Sequence, residues 1–147
     1  MPTTLYTIGF TKSSAAHFFG RLREAGIRRL IDVRLNNTST LAGFTKRDDL
    51  AFFLREILGA EYVHEPLLAP EPAMLKAIQS KQIAWAEYEA QYLALIQARE
   101  VADRLDRALF AGPSVLLCSE ATGEHCHRRV AAEHLRDRWG ILEIVHV

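Results

Sequence analysis

The sequence has 147 residues, the usual size of one domain, so we expect residues 1–147 to form a single α/β domain around one core. Hydrophobic residues make up 49% of the chain and charged residues 24%, which is an ordinary globular balance. No apolar run approaches the roughly 20 residues needed to cross a bilayer. The composition therefore argues against a disordered polar chain and against a membrane protein.

The charge balance gives no reason to expect a polyanionic partner. The 18 basic and 18 acidic residues sum to zero net charge, so no overall field draws the chain to a nucleic-acid backbone, although nucleic acid is not excluded. Residues 1–6 lack the features of a secretory signal, so we expect a cytoplasmic protein. In that compartment the two cysteines, Cys118 and Cys126, are expected to be thiols rather than a disulfide. The oligomeric state is left open.

The first half of the chain alternates between strand and helix patterns. In chain order we predict a strand over residues 4–9, a helix capped at Ser13 or Ser14 and ended by Gly26, and a strand over 29–34. A second helix begins with a capping arrangement formed by Thr45-Lys46-Arg47-Asp48 and is ended by Gly59, and a short strand over 61–64 follows. A polar loop over residues 35–44 contains Asn36 and Asn37.

The second half begins with prolines at positions 66, 70 and 72, which predict irregular backbone. From about residue 83 an apolar stripe predicts one long, bent helix that Gly112 and Pro113 end. An apolar strand over 115–118 follows, and then a last helix that opens at 122–124 and stops at Gly140. Strands that alternate with helices predict a three-layer Rossmann-like α/β fold with a mainly parallel sheet.

Polar residues with catalytic chemistry follow the ends of these strands. In open parallel sheets, ligands bind beyond the carboxyl ends of the strands, so we expect one cleft at that edge. The candidate catalytic residues are Asp32, Glu120, Cys126 and His127. The candidate ligand-binding residues are Gly9, Arg34, Cys118 and Arg128.

Each candidate side chain has a functional and a structural interpretation. Asp32 sits in an apolar strand and needs a cation, so it is either a general base or half of a structural ion pair with Arg34 or Arg128. Cys126 near a helix start is either a thiolate nucleophile or an unreactive thiol. Cys118 extends a buried apolar run and could be only a core residue.

The last helix adds a further candidate, because the stripe that ends at Trp139 places His127 and Arg128 on its inward side. His127 is therefore either an acid–base group or a capping or packing residue. Cys118, Cys126 and His127 could also hold a metal, but their spacing matches no familiar zinc module, so we assign no metal and no cofactor. A phosphatase-type or rhodanese-type loop is not supported, because neither cysteine is followed by arginine at the required spacing.

Several segments together resemble the DUF488 family, a group of uncharacterised prokaryotic proteins. They are Thr7-Ile8-Gly9, Ile31-Asp32-Val33-Arg34, Phe44, Asp49-Leu50, Glu61-Tyr62, Tyr88, Leu117-Cys118-Ser119-Glu120 and Cys126-His127-Arg128. Many members carry a proline and basic residues after the Asp-Val-Arg motif, whereas this chain has Leu35-Asn36-Asn37-Thr38-Ser39. The resemblance implies an α/β fold and the same polar edge, but it brings no reaction.

Two classes of function remain. In the first, the protein is an enzyme that acts on a small anionic or nucleotide-like substrate at the Cys/His/Arg/Asp/Glu cleft. In the second, it is a metal-binding or redox-sensing module that uses Cys118, Cys126 and His127.

Overall fold

The computed structural model describes residues 3–10, 13–35, 43–118, 127–140 and 142–147. The strands are β1 (Thr3–Gly9), β2 (Arg29–Asp32), β3 (Glu61–His64), β4 (Ser114–Cys118) and β5 (Leu142–His146). The helices are α1 (Ala15–Glu24), α2 (Arg47–Phe53), α3 (Pro72–Gln79), α4 (Trp85–Ala98), α5 (Val101–Arg104) and α6 (His127–Trp139). A π-helical turn, Leu54–Leu58, extends α2, and 3₁₀ turns occupy Gly43–Thr45, Pro66–Leu68 and Arg107–Phe110.

The five strands form one sheet in the order β3-β2-β4-β1-β5, and every pairing is parallel. Strand β4 therefore lies between β2 and β1, although it follows both in the chain. The sheet confirms the predicted α/β fold and its mainly parallel strands.

Helices cover both faces of the sheet and divide the core into two apolar clusters. On one face, Phe18, Phe19 and Leu22 of α1 pack with Leu50 of α2 and with Leu117 of β4. On the other face, α4, α5 and α6 contribute buried residues that pack against the alternate residues of the same strands. These are Tyr92, Ile96, Val101, Ala131 and Leu135 from the helices and Leu5, Leu116 and Cys118 from the strands. Successive side chains of a strand point to opposite faces, which explains this division.

The helix boundaries agree with the predictions at four places. Ser14 caps α1 by accepting from the His17 N–H, one of the two predicted caps. Gly26, Gly59 and Gly140 all have φ between 62° and 77°, the left-handed conformation that ends a helix, as predicted.

Three predictions in the middle of the chain are wrong. The segment after Pro72 is not irregular but forms α3, because proline at the first helical position fits its fixed φ. The long helix is interrupted where Glu100 adopts φ 54°, so α5 is separate. The N-cap of α2 is Lys46, which makes no side-chain capping bond, rather than a capping arrangement starting at Thr45.

Within the described ranges, no helix combines the length and apolarity that crossing a membrane requires.

Candidate functional site at the carboxyl edge of the sheet

The carboxyl ends of β1 and β4 lie side by side, with Gly9 in register with Cys118. The chain leaves β1 toward α1 on one face of the sheet, and α6, which precedes β5, covers the other face. Connections that diverge to opposite faces leave a crevice outside the strand ends, which is where open parallel sheets bind ligands. The structure thus brings Gly9 and Cys118, two predicted ligand contacts, to this position.

Asp32 and Arg34 form a buried ion pair at the end of β2. The exposed fraction is 0% for Asp32 and 4% for Arg34. Arg34 Nε donates to Asp32 Oδ1 and Nη2 donates to Oδ2, both at 2.9 Å, and the Arg34 backbone N–H donates to Oδ1 at 3.0 Å. Tyr62 of β3 adds a bond from its hydroxyl to Oδ2. The sequence left Arg34 and Arg128 as possible partners of Asp32, and the structure shows that Arg34 is the partner.

The same contacts hold the Arg34 guanidinium in one orientation. Its Nη2 also donates to the Thr45 carbonyl at 2.7 Å, and its Cζ lies 5.3 Å from the centre of the Phe10 ring. Its Nη1 is buried and has no hydrogen-bond partner among the residues that the structure describes. A buried N–H that lacks an acceptor is costly, so this atom marks a place where an acceptor oxygen would be favourable.

A second cluster of side chains, formed by Cys118, His127 and Arg128, lies at the same edge on the α6 face. Arg128, 1% exposed, donates from Nη1 to Cys118 Sγ at 3.0 Å. His127 is also buried, its Nε2 lies 2.9 Å from the Val33 carbonyl, and its ring meets that of Tyr92 edge to face. Both side chains therefore lie on the inward side of α6, as the apolar stripe predicted for His127.

Burial controls the protonation of His127. Loss of solvent lowers its pKa to about 4, the Val33 carbonyl opposes this shift, and the Arg128 cation adds to it. Because a carbonyl only accepts, Nε2 carries the proton of the neutral ring, and Nδ1 carries the lone pair. His127 is therefore neutral near pH 7 and can accept a hydrogen bond or a proton through Nδ1.

The cysteines differ from the prediction of two thiols. Cys118 is disulfide-bonded, and the only other cysteine in the sequence is Cys126. Cysteines this close in sequence can be joined by a disulfide that closes only a short loop. The described segments contain no group of three or more His, Cys, Asp or Glu side chains placed to hold a metal ion.

Three further predictions fall outside the described residues. They concern Glu120, Cys126 and the loop with Asn36 and Asn37. The described candidates share one edge but divide between the two faces of the sheet. Asp32 is in register with Leu117 and lies on the α1 face, whereas Cys118 belongs to the α6 face.

The predicted site residues did not include Tyr62, Thr45 and His64, which complete the surroundings of Arg34. His64 Nε2 lies 3.1 Å from the Arg34 carbonyl and so ties β3 to the residues after β2. A signal for Tyr62 was present, because consecutive strands are often neighbours. Tyr62 is in register with Leu30, whose side chain shares a face with Asp32 two residues later.

Together, these features define an α/β protein whose described strands form a parallel five-stranded sheet, with a buried Asp32–Arg34 ion pair and with His127 and Arg128 buried at the same edge. The chain belongs to a family described as domain of unknown function DUF488, whose model matches residues 14–135. No curated protein and no solved structure matches the chain.

Proposed function

We propose that the protein is an enzyme that acts on a small anionic or nucleotide-like substrate at the carboxyl edge of the sheet. The observation that carries the proposal is Arg34 Nη1, a buried donor without an acceptor among the described residues. The other nitrogens of the guanidinium are held by Asp32 and Thr45, so the donor is fixed before any ligand arrives. Fixed donors bind an oxygen without first losing side-chain freedom.

The roles in this proposal follow the contacts. Arg34 and Arg128 contact the anion, and Gly9 and Cys118 lie beside it at the strand ends. Asp32 already accepts four hydrogen bonds, so it acts through Arg34 as a positioning residue. His127, with a neutral ring and a lone pair on Nδ1, is the acid–base group that the contacts favour. Glu120 and Cys126 stay in the proposal on sequence grounds alone.

Titration calorimetry with inorganic phosphate and with adenosine 5′-monophosphate tests the proposal. Arg34→Lys keeps a cation beside Asp32 but removes the planar fork, so affinity should fall about tenfold, the value of one hydrogen bond between charged groups. The matched control is Arg29→Lys, at the opposite end of the same strand, where the arginine pairs with the exposed Glu61. Equal affinity in wild type and Arg34→Lys, or no binding by folded wild type, would refute the anion site.

The disulfide at Cys118 favours a second candidate, a redox-sensing module. In the disulfide, Arg128 donates to a neutral sulfur, whereas a thiolate at Cys118 would form an ion pair with Arg128. Reduction by a dithiol would break the S–S bond, leave two thiols and oxidise the dithiol. The metal-binding form of this candidate requires a thiolate at Cys118, which the disulfide does not provide.

Phosphate affinity, measured in the oxidised and in the reduced protein, distinguishes a redox sensor from a disulfide that only stabilises the fold. If the protein is a redox sensor that works through Arg128, phosphate affinity should change severalfold between the oxidised and the reduced protein. If the disulfide only stabilises the fold, affinity should be equal in both states while thermal stability differs.

A further inference from the structure

A second cavity lies away from the sheet edge, between α1 and the helical segment of α2 and its π-helical turn. We call it the α1–α2 groove. Its volume is about 370 Å³, within the range of small-molecule pockets. The described residues that line it include Phe19, Gly20, Arg23, Phe44, Phe53 and Ile57.

The groove is apolar and aromatic. The ring centre of Phe19 lies 6.0 Å from that of Phe44 and 6.0 Å from that of Phe53. Among the described residues, the exposed large hydrophobic side chains are Phe52, at 49%, and Ile57, at 40%. Ile57 lines the groove, whereas Phe52 lies beside it, with its ring centre 5.6 Å from that of the groove residue Phe53. Exposed apolar side chains that cluster beside a groove are a feature of binding sites.

Gly20 keeps the groove open from the α1 side. It lies inside a helix, where glycine is less stable than alanine, and its φ is not in the left-handed region. A Cβ added there would meet no atom within 4 Å. Neither backbone geometry nor crowding therefore requires glycine at this position, and a larger side chain would extend into the open space.

A positively charged side chain also lines the α1–α2 groove. Arg23 is the one charged side chain among the described residues that line the groove. It is exposed, and its contact with the groove wall is a long bond from Nη2 to the Ile57 carbonyl, at 3.4 Å. Its remaining donors can therefore meet an anionic group at the mouth of the groove.

We propose that the α1–α2 groove binds a small aromatic carboxylate. The aromatic ring packs against Phe19, Phe44 and Phe53, which favour edge-to-face contacts with a further ring. The carboxylate pairs with Arg23, whose planar fork matches two carboxylate oxygens. This site is built on helices and does not depend on the proposed function at the strand ends.

Titration of the full chain with 2-naphthoate, followed by protein NMR shifts, tests the proposal. The neutral analogue 2-naphthalenemethanol has the same ring without the charge. Naphthoate should bind about fivefold more tightly than the alcohol, the value of one solvent-exposed ion pair. Arg23→Gln should remove this preference and leave the affinity for the alcohol unchanged. Arg136→Gln, which alters an exposed arginine on α6, should preserve it.

Gly20→Leu gives an independent test, because leucine is the better helix former, its Cβ would meet no neighbouring atom, and the rest of its side chain would extend into the groove. This variant should melt at a higher temperature than wild type and lose at least about tenfold in naphthoate affinity. Equal affinity of Gly20→Leu and wild type, or equal affinity for naphthoate and the alcohol, would overturn the proposal. So would a wild-type dimer in sedimentation that Gly20→Leu dissociates, since the groove would then join two copies of the chain.

Discussion

Arg34 and Asp32 are joined by two parallel hydrogen bonds of 2.9 Å in a place almost closed to solvent, at the carboxyl end of β2. The Asp32–Arg34 ion pair is both a buried structural contact and one half of the candidate site. Its carboxylate is fully engaged, whereas the guanidinium keeps Nη1 without an acceptor in the described part of the chain. In the proposed function, Arg34 is therefore the residue that contacts the ligand and Asp32 is the residue that positions Arg34.

The first prediction concerns the stability of this pair. Asp32→Ala should cost about 3–5 kcal/mol of unfolding free energy, because it leaves a buried guanidinium without its partner. Asp32→Asn should cost less, because an acceptor oxygen remains for the Arg34 N–H groups. Denaturant melts measure both losses.

The matched control is Glu61→Ala, which breaks the exposed Glu61–Arg29 pair and should cost no more than about 1 kcal/mol. A loss below about 0.5 kcal/mol for Asp32→Ala would place Asp32 among ordinary surface residues and contradict its burial.

The second prediction concerns pH. Burial lowers the pKa of His127 to about 4 from an ordinary value of 6.5, so the unfolded chain takes up a proton before the folded protein does. The neutral His127 side chain makes its full contribution to the free energy of unfolding above about pH 6.5. This contribution is lost as the pH falls toward 4, by about 3 kcal/mol in total. His127→Gln should therefore show a weaker loss of stability over this window.

Denaturant melts at about pH 7 and about pH 5 provide the comparison. Other groups titrate in the same range, so the informative quantity is the difference between wild type and variant. His17→Gln, which changes an exposed histidine on α1, should follow the wild-type curve. Identical pH dependence in wild type and His127→Gln would mean that His127 is not buried as the structure places it.

The third prediction concerns the disulfide. Cys118 is disulfide-bonded and Cys126 is the only other cysteine, so a thiol assay on denatured protein should find no free thiols before reduction and two after it. Closing a loop of this length stabilises a fold by about 2–3 kcal/mol, so reduction should lower the unfolding free energy by a similar amount. A variant in which both cysteines are alanine should not respond to reductant. Two thiols in unreduced protein would show that the disulfide is absent.

The sequence predicted the fold well because the apolar periods of the strands and helices are clear, and glycines mark three of the helix ends. It failed where local chemistry admits two outcomes. Pro72 fits both an irregular segment and the first position of a helix, and the residue that interrupts the long helix, Glu100, is not a residue type that favours a left-handed turn.

The sequence predicted the edge of the sheet at which the candidate site lies, but not how the residues of the site are arranged there. The strand ends placed Asp32 and Cys118 at the same edge, but their faces depend on the pairing of β2 with β4 and on its register, which no local pattern encodes. The choice of Arg34 over Arg128 as partner of Asp32 likewise depends on three-dimensional packing. The contacts of Tyr62 and Thr45 with this pair join segments well separated in sequence, so only the folded structure reveals them.

The most direct test of the anion site is a crystal of the wild-type protein soaked with tungstate, whose anomalous signal locates the ion without assumptions. We expect tungstate at the carboxyl edge of the sheet, with an oxygen about 3 Å from Arg34 Nη1. A crystal in which the bound ions lie elsewhere, and in which a protein oxygen accepts from Arg34 Nη1, would contradict it.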